Sequence, residues 1–139
     1  MLKQLTFKGD VKSKLNDNKY HCLDNKCNEL LRYSEIRFVG IINNMGNLIA
    51  GGLSNGVDWI ETDEKRRMLY MQMTLEILMR KDFDNTLGET NYVSTNRKNV
   101  LMITVPMNNH VLLISAKPTA VVEEIIAKIH LLGFFKSEA

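Results

Sequence analysis

The sequence predicts one layered α/β domain, an α+β arrangement in which a five-stranded antiparallel sheet is flanked by helices in the order α-β-β-α-β-β-β-α. Three observations predict it. Apolar residues recur at helical spacing in three stretches, and five short β-rich segments are separated by turns rich in Asn, Gly or Pro. The length, 139 residues, with 45% hydrophobic and 24% charged, suits a single core and not a disordered chain.

Residues 1–17 read as an N-terminal arm, with Gly9 and Asp10 as breakers and weak apolar spacing. The domain then occupies residues 18–139. Across residues 18–33, Tyr20, Leu23, Cys27, Leu30 and Leu31 fall on one stripe of an amphipathic helix. Ile36-Arg37-Phe38-Val39-Gly40-Ile41-Ile42 is apolar on both alternations, as a central strand is. Asn43-Asn44-Met45-Gly46-Asn47 is hairpin-turn chemistry, because Asn and Gly tolerate positive φ. A second strand returns from Leu48, and a loop through Gly52 and Ser54-Asn55-Gly56 follows it.

The longest helix is expected at residues 62–83, with Thr62 or Asp58 as its cap and acids in its opening turn. At about 100° per residue its apolar side chains separate into two arcs. Met68, Met71, Leu75, Leu78 and Met79 share one arc, assigned to the chain's own core. Leu69, Tyr70, Met73 and Ile77 share the other. A helix that covers one sheet needs a single apolar face, so the second arc calls for a partner. Residues 89–95, 100–105 and 111–116 read as three further strands joined by short hairpins. Lys117-Pro118-Thr119 breaks the sheet and opens a last helix, where Val121, Val122, Ile125, Ile126, Ile129 and Leu132 form the core stripe. Lys128 is expected in water, in i,i+4 order with Glu124, and Gly133 at C′. Phe134 and Phe135 are expected to fold back onto the core.

This order resembles that of the roadblock (dynein light chain) family, part of the wider profilin-like architecture. The likeness covers about residues 18–133. Its closest local match is Val39 to Ala50, which is similar to the family's first hairpin, a hydrophobic strand turning at Asp-x-x-Gly; here Asn43 stands where Asp is common. The stretch from Val100 to Ala116, with Pro106 before its turn, is similar to the last hairpin. The resemblance implies a homodimer joined along the long helix and the following strand. It also implies partnership with small Ras-like GTPases, or service as an assembly platform for signalling proteins. On this reading Leu69, Tyr70, Met73 and Ile77 form the dimer seam. Asn44, Met45, Asn47 and Trp59, on turns and loops, are the candidates for a further partner.

Chemistry is sparse. His21, Cys22 and Cys27 lack the paired spacing and four ligands of structural zinc, and Cys27 belongs to the core stripe. His21, His110 and His130 fall in no catalytic motif and are expected to face solvent. Gly51 to Gly56 lacks the spacings of phosphate-cradling loops. No cofactor and no enzymatic activity are expected. The net charge of +2 offers little case for nucleic acid, since the early lysines are mixed with Asp and Asn. The opening MLKQLTFKGD lacks a continuous apolar core, and no run approaches the roughly 20 residues that cross a bilayer. A cytoplasmic protein with reduced thiols is therefore expected. A small-ligand-sensing domain of profilin-like or PAS-like kind, built around an internal cavity, is the alternative.

Overall fold

The computed structural model describes residues 13–134. Helix α1 (Ser13–Leu30) leads into strand β1 (Ile36–Asn43), strand β2 (Leu48–Leu53) and helix α2 (Asp63–Arg80). A 3-10 turn (Lys81–Phe83) and a one-turn helix α3 (Asp84–Leu87) connect α2 to strands β3 (Val93–Asn96), β4 (Leu101–Pro106) and β5 (His110–Ala116). Helix α4 (Val122–Leu131) follows. All strand pairs are antiparallel, and the sheet order is β2-β1-β5-β4-β3. The expected fold class and element order are therefore what the chain adopts. β1 buries Val39 and Ile41 on one face of the sheet and Phe38 and Ile42 on the other, which explains why its residues are apolar on both alternations.

Register sorts the sheet into two faces. Val39, Ile103 and Ile114 form one cross-strand row, and Ile41, Ala50, Val105 and Leu112 the next. These rows meet α1 through Leu23, Cys27 and Leu30, and α4 through Ile125 and Ile129, all essentially buried. The opposite face carries Phe38, Ser115, Met102 and Thr95 in one row and Gly40, Leu113, Thr104 and Val93 in another, and α2 lies on it. Gly51 is required where α1 meets the sheet. It sits at φ 92°, and a Cβ there would lie 2.0 Å from the Val39 carbonyl oxygen. Its amide donates to Asp24 Oδ1 of α1 at 2.8 Å.

Several boundaries move. α1 begins at Ser13, so part of the expected arm is helical; the rest of the arm, residues 1–12, lies outside the described residues, as does Phe135. The strand after α2 spans only Val93–Asn96, because α3 and an extended link take up the chain before it. α4 starts at Val122 and not at Pro118, which lies in a turn closed by the Ala120 amide and the Lys117 carbonyl. Lys128 does not serve Glu124. Its Nζ is 2.7 Å from Glu35 Oε2 and lies over the Tyr33 ring, so it clasps α4 to the turn before β1. The Glu35 carboxyl is held below the usual carboxylate range, chiefly by that hydrogen bond from Lys128. Gly133 takes φ 76° beyond the end of α4, and Phe134 folds back to complete burial.

Candidate protein-interaction surface

Helix α2 is set in place by its first turn. Thr62 caps it, its hydroxyl accepting from the Lys65 amide at 3.3 Å, and Asp63 and Glu64 lie where the helix dipole favours acids. Arg66 pairs with Asp63, donates to the Glu61 carbonyl at 2.8 Å, and lies over the Trp59 ring at 3.8 Å from its centroid. Trp59 in turn tilts against Phe38, with centroids 5.5 Å apart, and Phe38 stacks on Tyr70 at 6.2 Å. The helix start, its preceding loop and the sheet thus share one aromatic cluster.

From there α2 shows two apolar faces, but in the reverse of the expected sense. Tyr70, Met73 and Ile77, expected at a seam between copies, are buried within the chain itself, Tyr70 and Met73 packing with Phe38, Ile42, Met102 and Leu113 of the sheet. Leu69 is partly buried beside them. Met68, Met71, Leu75, Leu78 and Met79, assigned to the core, are instead 41% to 69% exposed. The reason lies in the sheet face that α2 covers. It carries Thr95, Thr104 and Ser115 among its apolar residues, so it accepts side chains with polar atoms. Thr104 Oγ1 approaches Met73 Sδ at 3.5 Å, and buried Thr74 bonds back to the Tyr70 carbonyl at 2.9 Å. Burial raises the Tyr70 hydroxyl's pKa, opposed by the nearby Arg66 charge. Periodicity resolves the two arcs but cannot say which one meets a partly polar sheet.

The β1–β2 turn adjoins the exposed arc. Asn43 Oδ1 accepts from the Met45 amide at 2.9 Å and the Asn47 amide at 3.0 Å, so an Asn side chain closes this turn through its oxygen. Gly46, at φ 82°, is packed against Met71 of α2, where a Cβ would come within 3.0 Å of the methionine methyl. Met45 is 67% exposed, and Asn44 and Asn47 are also exposed. Of the four partner candidates, the turn trio therefore borders α2's outer arc. Trp59 sits apart at the helix start, at once half-exposed and packed on Phe38.

Beside the first half of α2, the helix leaves the sheet partly uncovered. A half-open cavity of about 280 Å³ lies there, floored by Phe38, Met102 and Leu113, walled by Tyr70 and Trp59, and lined also by Arg37 and Arg97. Nothing in the sequence spacing marks it, because its residues come from four strands, two loops and a helix. Elsewhere, Cys27 is fully buried and its thiol is pushed up to about 12, first by burial and then by the Asp24 charge; Cys22 is exposed. His110 is partly buried at the start of β5 opposite Asn43, not solvent-facing in a turn, while His21 and His130 are exposed. Among the described residues no group of three His, Cys, Asp or Glu side chains could hold a metal, and no helix is long and apolar enough to cross a membrane.

A five-stranded antiparallel sheet in this strand order, with α1 and α4 on one face and α2 on the other, is the roadblock-like form of the profilin-like architecture. The chain belongs to a family of unknown function (DUF6659), whose model matches residues 13–134. No curated protein matches it. Among solved structures it is similar to a roadblock/LC7 domain from Streptomyces avermitilis, at 10% identity and TM-score 0.61, covering 78% of this chain and 89% of that one. An MglB in a tetrameric arrangement is similar at 13% identity and TM-score 0.68, covering 86% and 90%. A profilin from Schizosaccharomyces pombe is similar at 13% identity and TM-score 0.55, covering 84% and 94%. At these identities the likeness is one of fold.

Proposed function

We propose that the chain is a non-enzymatic adaptor that assembles as a homodimer through α2, with the edge strand β3 alongside. In that form it presents a surface to a small Ras-like GTPase or another signalling protein. The observation that carries the reading is the outer arc of α2. Met68, Met71, Leu75, Leu78 and Met79 are all exposed on one 18-residue helix, and a soluble surface rarely leaves such a continuous apolar stripe in water. Methionine suits a surface that must fit more than one shape. The fold it shares with an MglB of tetrameric arrangement supports assembly, and the roadblock resemblance supplies the GTPase as the partner class. Met45, with Asn44 and Asn47, extends the stripe, and Trp59 offers a second contact point.

The test is the mass in solution of the native chain and of a Leu75→Glu, Met79→Glu double variant. A native dimer and a folded monomeric variant are expected, because burying uncompensated charge at a seam is costly. A native monomer at tens of micromolar, or a variant that stays dimeric, would remove α2's outer arc from the interface. For the partner, the native chain should retain a Ras-like GTPase from its own cell extract that Met45→Glu fails to retain. Equal recovery by both would take the turn out of the binding surface.

A further inference from the structure

The cavity beside α2 has a chemistry that the adaptor reading does not use. Its wall and floor carry three aromatic rings, with Phe38 in contact with both Tyr70 and Trp59. Arg66 already covers one side of the Trp59 ring and is paired with Asp63. Arg37 is tethered to the Asp58 carbonyl at 3.3 Å. Arg97, in the turn between β3 and β4, and Lys65, on the first turn of α2, have no acidic side chain paired with them among the described residues. Four cations line the cavity against two carboxylates, Asp58 and Glu61. A partly enclosed hollow that joins an aromatic wall to charged side chains is the build of a small-molecule site and not of a flat protein contact.

We infer that this cavity binds a small aromatic anion, its ring against Phe38, Tyr70 and Trp59 and its carboxylate or phosphate on Arg97, with Lys65 or Arg37 beside it. The guanidinium fork matches either acid group, and desolvation by the rings strengthens the contact. At about 280 Å³ the space takes a bicyclic ring. This inference does not depend on the α2 seam.

The single tryptophan of the chain lines the site, so its fluorescence reports occupancy directly. The full chain is titrated with 1-naphthoate, 1-naphthyl phosphate and the neutral 1-naphthalenemethanol. Saturable quenching of Trp59 at one site per chain is expected for at least one of the anions, and the stronger of them identifies the acid group preferred. The neutral compound should bind about ten-fold more weakly, as should the preferred anion to an Arg97→Glu variant that keeps its far-ultraviolet spectrum. Leu75→Glu, on the opposite arc, should leave the titration unchanged. Absence of saturable quenching, equal binding of neutral and charged probes, or a loss shared by Leu75→Glu would overturn the inference. So would competition between probe and protein concentration, which would make a second copy the occupant.

Discussion

The two faces of the sheet are covered in different ways. One carries two helices, α1 and α4, and a cluster of seventeen buried hydrophobic residues, whereas the other carries α2 alone and a cluster of six. The first face is a finished core, into which α1 and α4 each bury an apolar stripe. The second is unfinished in two respects. Its helix has an apolar arc pointing away from the sheet, and its sheet is left partly bare beside the helix. A chain that stabilises itself mainly through one layer is free to use the other for recognition. The outer arc of α2 and the aromatic cavity both belong to that second layer.

Cavity-creating substitutions should separate the layers most sharply. Ile129→Ala, at the closed core, is expected to lose about 4 kcal/mol by urea denaturation, since no neighbour can move in to fill the space. Ile77→Ala, under α2, should lose about 2 kcal/mol, because a lone helix can settle toward the sheet. Equal losses would mean the two layers are equally rigid, and the contrast would fail. Thiol labelling offers a second comparison. Cys22 should react at once in the native chain, while Cys27, buried and with its thiol pushed up to about 12, should react slower by roughly 10³ or more, through unfolded molecules. Two fast equivalents would show that the α1 layer opens readily.

The smallest effect belongs to the clasp between Glu35 and Lys128. Both side chains are partly exposed, so Glu35→Gln should lose only about 0.5 kcal/mol at neutral pH. The Glu35 pKa is lowered in the folded chain. Its contribution is therefore complete above the ordinary glutamate range, roughly pH 4 to 5, and is lost as pH falls through the lower folded value. Native and variant stabilities should converge at acid pH. A difference that grows on acidification would contradict the pairing.

The layers also differed in how far the residues revealed them. Leu23, Cys27 and Leu30, and later Ile125 and Ile129, stand at spacings that place one stripe on one helix face, and the structure buries them as those spacings imply. Asn43-Asn44-Met45-Gly46-Asn47 likewise carries its turn in its own side chains. On α2 the pattern disclosed two faces and then misled. Tyr70 and Thr74 look like poorer core residues than Leu75 and Leu78, and only the composition of the facing strands, Thr104 and Ser115 among them, reverses that ranking. The cavity was illegible because Phe38, Trp59, Arg66 and Arg97 stand on a strand, a loop, a helix and a turn that only the tertiary fold brings together.

One bond has a consequence for how this protein behaves at high concentration. β2 and β3 are the two open margins of the sheet, and an open margin is a template on which another chain can accrete. β3 is short and mostly polar, Val93-Ser94-Thr95-Asn96, and so is a poor template. β2 is longer and more apolar, but the Asp24 carboxylate of α1 occupies the amide of Gly51 midway along it. That carboxylate acts as a stopper against fibrous growth as well as a tie between helix and sheet. Asp24→Ala would unmask the amide, and its first symptom would be a shortened lag before thioflavin-positive aggregates form under agitation, at a concentration where the native chain stays clear.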